Sequence, residues 1–204
     1  MAVLYHKGDL PAGVDFGNCV AVDTETMGLS LVRDVLCVVQ LSDGNGDAHV
    51  VQLNRENYDC PNLKALLENR QVEKLFHFAR FDIAMLGKFL NVTVNPVFCT
   101  KIASKLARTY TDRHGLKDLI RELVGVDLNK QQQSSDWGAE TLSEAQLNYA
   151  ASDVLYLHPA KLKLVEMLTR HNRLQLAKNC FSFLETRASL DISGYGEMDI
   201  FSHE

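Results

Sequence analysis

Short apolar runs rich in β-branched residues dominate the first quarter of the chain. They are Asn18 to Thr24, Val35 to Ser42 and Ala48 to Leu53, and a Gly-Asn-Gly turn between Asp43 and Asp47 separates the last two. β-branched residues favour the pleated backbone of a strand, and a short glycine-containing turn joins neighbouring antiparallel strands. The pattern predicts a leading three-stranded antiparallel meander.

Beyond Pro61 the apolar residues recur at helical spacing, apart from one short run, Lys74 to His77, that predicts a further strand. Ser143 opens the last helix with Ser-Glu-Ala-Gln, the pattern of a capping box. Strands lead and helices follow, so we predict an α/β fold with a mixed sheet flanked by helices. The predicted helices are Asn62 to Glu68, Ala79 to Leu90, Thr100 to Arg108, Leu116 to Val124, and Ser143 to about Arg170.

Two segments lack periodicity. Asp127 to Gly138 is polar and is predicted to be a loop, since it is too short and too embedded to link two domains. The tail from Asp191 to Glu204 is acidic and contains glycine, so we expect it to fray or to serve at an interface. No internal repeat divides the chain. We therefore predict a single domain over residues 1–204.

Composition narrows the class of protein. The chain has 204 residues, of which 46% are hydrophobic and 23% charged, and this balance excludes disordered, collagen-like and coiled-coil chains. The net charge of −5 means that contact with nucleic acid needs a local basic patch or a bound cation. Five widely spaced cysteines form no C-x-x-C pair, as expected for reduced thiols. The first thirteen residues hold no long apolar run, and no later segment has the roughly 18 uncharged apolar residues of a membrane span, so we expect a soluble, cytoplasmic protein that has no membrane contact.

An acidic pair at the end of the first predicted strand is the first candidate for chemistry. Side chains two apart on a strand share a face, so Asp23 and Glu25 present two carboxylates side by side. Adjacent carboxylates repel each other unless a cation lies between them, and oxygen ligands suit Mg²⁺ or Mn²⁺. The alternative is a polar junction between strand and turn, with Asp23 as a cap.

Two later segments carry further candidates. His77 ends an apolar strand, and Asp82 follows in the first turns of a helix, where it could simply complement the helix dipole. Tyr149 and Asp153 are four residues apart and share a helix face. A carboxylate among Ala, Leu and Val needs a partner, so a cation should face Asp153. The alternatives are an ordinary half-buried histidine at His77 and a simple hydrogen bond between Tyr149 and Asp153.

Taken in order, these acidic residues and the tyrosine resemble the motifs of the DEDD exonucleases of the tyrosine subgroup, the RNase D-like 3′-5′ exonucleases. The match extends to flanking residues over most of the chain, including Ser135-Asp136-Trp137, Leu142-Ser143, Gln146, Leu41-Ser42 and Thr100-Lys101-Ile102-Ala103. The resemblance implies an RNase H-like exonuclease fold and hydrolysis of a phosphodiester with two divalent cations, Mg²⁺ or Mn²⁺.

The resemblance also implies roles for the matched residues. Asp23 would bridge both ions, Glu25 and Asp153 would hold the ion on the nucleophile side, and Asp82 would support the other ion mainly through water. Tyr149 would orient or deprotonate the attacking water. With an unperturbed pKa of about 10, Tyr149 is at least as plausible an orienting group as a base.

We expect the chain to do without the extra helical domains with which RNase D itself grips longer RNA. It looks most like a compact, stand-alone branch of the family that cleaves very short oligonucleotides. We therefore expect cleavage of short single-stranded RNA, with single-stranded DNA as a second candidate substrate and with dinucleotides preferred. The alternatives are RNase D-like trimming of structured RNA, a DNA exonuclease, and a non-catalytic nucleic-acid-binding module, although such a module would be expected to lose one of the carboxylates.

Substrate contacts are predicted from local chemistry. Met27 and Leu29 could pack on terminal bases, and His77 and Phe78 could contact the 3′ nucleotide; ordinary burial is the alternative. Thr24, between the paired carboxylates, completes this set. The segment from Thr100 to Lys130 has seven basic and four acidic residues. Within it one helix face is predicted to meet a 5′ phosphate, unless its charges are merely solvated, and that face carries Lys101, Lys105 and Arg108.

The segment from Lys161 to Phe183 alternates apolar and basic residues. A single small domain need not cover all of its apolar side chains, so we expect a homo-oligomer. The alternative is a helix that folds back on its own core.

Overall fold

The computed structural model describes residues 2–129, 132 and 134–203. Its strands are β1 (Val3–Lys7), β2 (Cys19–Thr26), β3 (Leu36–Ser42), β4 (Ala48–Gln52), β5 (Glu73–Phe76) and β6 (Val97–Cys99). Its helices are α1 (Pro61–Glu68), α2 (Ala79–Leu90), α3 (Thr100–Ala107), α4 (Leu116–Val124), α5 (Glu144–Leu155), α6 (Leu157–Arg170), α7 (Leu174–Ser182) and α8 (Leu184–Ile192).

Six strands form one mixed sheet in the order β1-β4-β3-β2-β5-β6. The predicted meander is confirmed, because β2 pairs antiparallel with β3 and β3 with β4. The sequence also predicted β5, which pairs parallel with β2. It missed the two edge strands, β1 and β6, which pair parallel with β4 and β5 and have only five and three residues.

The central strand β3 is buried along its whole length and contributes to both sides of the sheet. Val39 and Leu41 belong to the main core together with Met85 of α2. Val38 packs instead in a second cluster with Trp137 and Ala150 of α5. Helices therefore cover both faces, which agrees with the predicted α/β class and places α5 over the face on which Val38 lies.

Most of the predicted helices are found close to their expected limits. Ser143 caps α5 with the predicted capping box, accepting a hydrogen bond from the backbone of Gln146 while the Gln146 side chain bonds back. The prediction of one helix from Ser143 to about Arg170 is wrong, since Tyr156 has non-helical torsions (φ −109°, ψ 5°) between α5 and α6. Pro159 explains the break, because its ring has no N–H for the Leu155 carbonyl and crowds that group.

The C-terminal segment returns to the core. Ala177 and Phe181 of α7 are buried, and the Phe181 ring lies 4.7 Å from the ring of Phe98. Part of the Lys161 to Phe183 segment thus folds back on its own domain, as the alternative interpretation held. The first part of the predicted tail is held in place and not frayed, because Asp191 accepts hydrogen bonds from Arg80 and Arg187, and both arginines also donate to the Gly196 carbonyl.

Two further expectations concern the thiols and the membrane. All five cysteines are free thiols, as predicted. Within the described parts of the chain, none of the helices has both the length and the apolar character that a membrane crossing requires.

Candidate active site

Three carboxylates converge where β2 passes beneath α5. Asp23 and Glu25 lie on one face of β2, and Asp153 comes from the last turns of α5. One oxygen from each of the three lies within 4.8 Å of the others. An arrangement of three carboxylate oxygens at this spacing is suited to a hard divalent cation, and the residues present therefore fit such an ion.

Asp82 joins this group from the opposite side of the strand. It lies in the first turn of α2, is 4% exposed, and its carboxylate accepts a 2.6 Å hydrogen bond from the Thr24 hydroxyl. The residue before α2, Phe78, has a left-handed backbone (φ 70°) that side chains rarely adopt. This sharp turn joins β5 to α2 and lets His77, Phe78 and Asp82 all face the same cleft.

The electrostatics of the cluster favour protonated acids or a bound cation. Burial and the neighbouring charges of Asp82, Asp153 and Glu25 raise the pKa of Asp23 well above its usual range. Burial and the charge of Asp153 raise the pKa of Glu25 to about 9, and burial raises that of Asp82 to about 7. These directions express mutual repulsion in a poorly solvated place, and a divalent cation would relieve it.

Tyr149 stands beside this cluster one turn before Asp153. Burial, followed by the charges of Asp153 and Glu25, raises the pKa of Tyr149 well above its ordinary value, and a hydrogen bond with Asp153 acts in the same direction. The ring of Trp137 lies 6.0 Å away and packs against Tyr149. In the absence of a cation the phenol is therefore a neutral donor held in a fixed position.

The cleft has a volume of about 660 Å³ and gathers most of the predicted substrate residues. Met27 and Leu29 are 55% and 85% exposed, so ordinary burial does not account for them. Gly28 between them has no room for a side chain, because a Cβ there would lie 2.3 Å from the Asp34 carboxylate. Asp34 in turn accepts a hydrogen bond from the backbone of Ser30, which fixes the turn that presents Leu29.

His77 and Phe78 form another wall of the cleft. Burial lowers the pKa of His77 to about 3, and its Nδ1 lies 2.9 Å from the Thr100 hydroxyl oxygen. His77 is thus a neutral hydrogen-bonding group. Phe78 is 45% exposed, and the Lys101 ammonium lies 4.0 Å from the centre of its ring.

The predicted basic face is only partly present. Lys101 lines the cleft, and Lys105 is exposed on an adjoining pocket that Phe78 and Lys101 also line. Arg108 does not belong to this face: it is 0% exposed and forms an ion pair with Glu122. The prediction of a substrate contact at Arg108 is therefore wrong, because α3 ends at Ala107 and turns the arginine inward.

Sequence patterns missed several residues of the site. Gln40 of β3 donates a 2.8 Å hydrogen bond to Asp23, and Lys117 and Asn129 line the cleft. Gln40 and Lys117 reach the site through pairing and packing that no local spacing reveals. Asn129 belongs to the predicted loop from Asp127 to Gly138. Three residues of that loop, 130, 131 and 133, lie outside the described residues, and the first of them is the lysine that ends the basic segment.

Comparisons with known proteins agree with this geometry. A family model described as 3'-5' exonuclease matches residues 10–169. Ribonuclease D of Acidiphilium cryptum (strain JF-5) is 39% identical over 155 residues, which make up 76% of this chain and 39% of that protein. DNA polymerase I of Aquifex aeolicus (strain VF5) is 35% identical over 147 residues, or 72% of this chain and 24% of that protein. The chain thus spans well under half of these curated relatives.

Solved structures match over the full length. Brucella melitensis NrnC (nano-RNase C) bound to pGG superposes with a TM-score of 0.96 at 53% sequence identity, and the match covers 100% of both chains. The same protein with bound Mg²⁺ gives a TM-score of 0.95 at 52% identity, again over 100% of both chains.

Proposed function

The chain belongs to the RNase D-like 3′-5′ exonuclease family, and from this premise we propose that it is a metal-dependent exoribonuclease that hydrolyses short oligoribonucleotides to 5′-mononucleotides. The observation that carries this proposal is the convergence of Asp23, Glu25 and Asp153, with Asp82 beside them. A non-catalytic module would have no reason to keep four mutually repelling acids, one of them buried and three partly buried, together with a tyrosine.

The carboxylates are proposed to hold two divalent cations, Mg²⁺ or Mn²⁺. When bound, such ions activate a water and stabilise the leaving 3′-oxygen of a phosphodiester. Asp23 is central to the acidic cluster and would bridge the two sites. Glu25 and Asp153 would complete the site on the side of the attacking water, and Asp82, held by Thr24, would act mainly through water.

Tyr149 is proposed to orient the attacking water rather than to take its proton. Its raised pKa disfavours the phenolate, so the hydroxyl is suited to donate a hydrogen bond or to accept one from water. The packing of Trp137 against its ring and the bond with Asp153 hold the hydroxyl in place. Positioning of this kind lowers the barrier because the geometry exists before the reaction.

Short substrates suit the surface of the cleft. Met27, Leu29 and Phe78 offer exposed apolar and aromatic surface for two or three bases. Lys101 in the cleft and Lys105 on the adjoining pocket offer two cations for a 5′ phosphate. Thr24 and His77 line the cleft nearer to the carboxylates, where His77 offers a hydrogen bond to the substrate. A long RNA needs many phosphate contacts, and an acidic chain has few cations to supply them. The dinucleotide pGG in Brucella NrnC supports the same substrate class.

Two other substrates remain candidates because of specific relatives. The likeness to ribonuclease D favours trimming of longer RNA, and the likeness to DNA polymerase I favours single-stranded DNA. Both relatives are much longer than this chain. Brucella melitensis NrnC bound to pGG is 53% identical to the chain, against 39% and 35% for these two relatives, so short RNA is the substrate that we propose.

A ladder of 5′-labelled oligoribonucleotides from two to about twenty nucleotides tests the proposal, with a DNA ladder of the same sequence alongside. We expect Mg²⁺- or Mn²⁺-dependent release of mononucleotides from the 3′ end, with the highest kcat/KM for the 5′-phosphorylated dinucleotide. Equal kcat/KM for the dinucleotide and the longest RNA would instead support a trimming enzyme. Full activity in excess chelator would overturn the metal-dependent mechanism.

We also propose that residues 1–204 form one nuclease domain that assembles into a homo-oligomer. Several apolar side chains outside the cleft stay exposed, namely Leu162 at 70%, Leu176 at 52% and Phe201 at 77%. An interface between copies of the chain would cover these side chains. Light scattering at micromolar concentration tests the assembly, and a mass near 22.9 kDa would show a monomer.

A further inference from the structure

Gln40 is a fully buried polar residue in the middle of the sheet, directly below the acidic cluster. It is 0% exposed and lies on β3, where the antiparallel register places it opposite Asp23. Two residues along the same strand, Val38 pairs with Glu25. The register therefore puts the Gln40 amide on the same face as both carboxylates of β2.

The amide of Gln40 presents its donor side to the acids. Its Nε2 donates a hydrogen bond to Asp23 Oδ2 over 2.8 Å, and the same side chain counteracts the rise in the pKa of the neighbouring Glu25. A glutamine NH₂ group has two hydrogens, so one side chain can serve both carboxylates. With the amide turned around, its oxygen would face two acids and repel them.

The acceptor side of the same amide is left unused. Among the described residues, Gln40 Oε1 is buried and has no hydrogen-bond partner. A buried carbonyl oxygen without a partner disfavours the folded state, so an apolar side chain would suit this position better for stability alone. The surroundings of Gln40 would also suit an apolar side chain, because the neighbouring Val38 and Val50 belong to an apolar cluster.

We propose that Gln40 is a positioning residue that fixes Asp23 and Glu25 in the orientation in which they bind the divalent cations. This inference rests on the proposed function, because it assigns Gln40 a task toward the metals of that site. By donating to Asp23 and directing its second N–H toward Glu25, Gln40 holds both side chains in a single rotamer and leaves their remaining oxygens directed at the cleft. Partners of this kind change metal affinity when they are removed, although they never touch the ion.

Metal binding measured directly tests the proposal. We expect Gln40→Met, which keeps the length of the side chain but removes the donors, to bind Mn²⁺ about 10- to 100-fold more weakly in calorimetric titrations. Its melting temperature in chelator should equal that of the wild type or exceed it, since the unpaired oxygen is gone. The matched control is Ser42→Ala, which removes another buried hydrogen bond of β3, from Ser42 to the Asp47 carbonyl, and should leave Mn²⁺ affinity unchanged.

Steady-state kinetics separate positioning from a general structural defect. In Gln40→Met the Mn²⁺ concentration that gives half-maximal rate should rise by the same factor as the dissociation constant, while kcat at saturating Mn²⁺ stays close to wild type. If Gln40→Met does not fold, Gln40→Asn retains an amide but withdraws it by one methylene, and the same weakening is expected. Unchanged Mn²⁺ affinity in a folded variant would overturn the role of Gln40. Absence of Mn²⁺ binding by the wild type would instead overturn the proposed function.

Discussion

Arg108 and Glu122 form an ion pair in which the arginine is completely withdrawn from solvent. The same guanidinium donates to the Ser104 hydroxyl over 2.8 Å and to the Arg113 carbonyl over 2.9 Å. Ser104 in turn contacts Nδ1 of His114. The pair thus ties α3, α4 and the connection between them together, and that connection ends at the cleft wall formed by residues 115–117.

Replacing Arg108 should therefore affect folding rather than substrate choice. A lysine cannot reproduce the planar set of donors, so we expect Arg108→Lys to lower the free energy of unfolding by about 2 kcal/mol. The preference for 5′-phosphorylated substrates should be unchanged. Urea unfolding measures the stability, and kcat/KM on 5′-phosphorylated and unphosphorylated dinucleotides measures the preference. A variant that loses the preference but keeps normal stability would show that Arg108 does contact the substrate.

Lys105 is expected to behave in the opposite way. We predict that Lys105→Ala narrows the difference in kcat/KM between phosphorylated and unphosphorylated dinucleotides by about 10-fold, because one exposed cation near the phosphate is lost. Its melting temperature should not change. Lys163→Ala, which removes an exposed lysine of α6 outside the cleft, serves as the control. A difference in kcat/KM that stays the same in Lys105→Ala would argue against a phosphate site on α3.

Removal of a single metal-binding carboxylate should abolish turnover without unfolding the protein. We expect Asp23→Ala and Glu25→Ala, and likewise Asp82→Ala and Asp153→Ala, to reduce kcat by about 1,000-fold or more. In chelator, Asp23→Ala and Glu25→Ala should match or exceed the stability of the wild type, because repulsion is relieved. Glu68→Ala, at an exposed acid of α1, is the control. Normal turnover by Asp23→Ala would exclude the proposed metal site.

Tyr149→Phe should lower kcat by about 100-fold and leave KM nearly unchanged, since the hydroxyl is proposed to act on water and not on the substrate. The ring and its packing against Trp137 remain in this variant, so the melting temperature should be that of the wild type. Single-turnover rates at saturating substrate measure the effect. An unaltered rate constant would remove Tyr149 from the mechanism.

The acidic cluster also predicts how stability depends on pH. Folding raises the pKa of Glu25 to about 9 and that of Asp82 to about 7, so between the unfolded and folded values the folded protein holds more protons. Stability from these groups is complete at low pH and is lost as pH rises through the folded pKa values. In chelator, the free energy of unfolding should therefore fall from pH 7 to pH 9 because of Glu25.

Other groups titrate in neighbouring pH ranges and also change the free energy of unfolding. The contribution of Glu25 is therefore measured as a difference between the wild type and a variant. Folding lowers the pKa of His77 to about 3, so the free energy of unfolding rises with pH between that value and the ordinary pKa of histidine. Folding lowers the pKa of Lys74 to about 8, so the free energy of unfolding also rises with pH above about 8. Glu25→Gln carries no titratable group, and the difference between its urea unfolding curve and that of the wild type isolates Glu25. A difference that does not change between pH 7 and pH 9 would contradict the raised pKa.

Local spacing was sufficient to predict the parts of the site that lie within one element. Asp23 and Glu25 share a face because side chains two apart on a strand must do so, and Tyr149 and Asp153 share a face because a helix returns after four residues. The same local rules predicted the meander and the capping box at Ser143. Each of these features depends only on residues that are neighbours along the chain.

Contacts between distant elements of the chain were decided by the tertiary structure alone. Gln40 meets Asp23 because the register of β2 and β3 pairs them across seventeen residues of sequence, and register is set by the whole sheet. Arg108 continues a regular spacing of lysines, yet the end of α3 turns it inward to a glutamate on α4. Whether a charged side chain faces solvent or a partner depends on what packs above it. That information lies in distant parts of the chain and not in the local pattern.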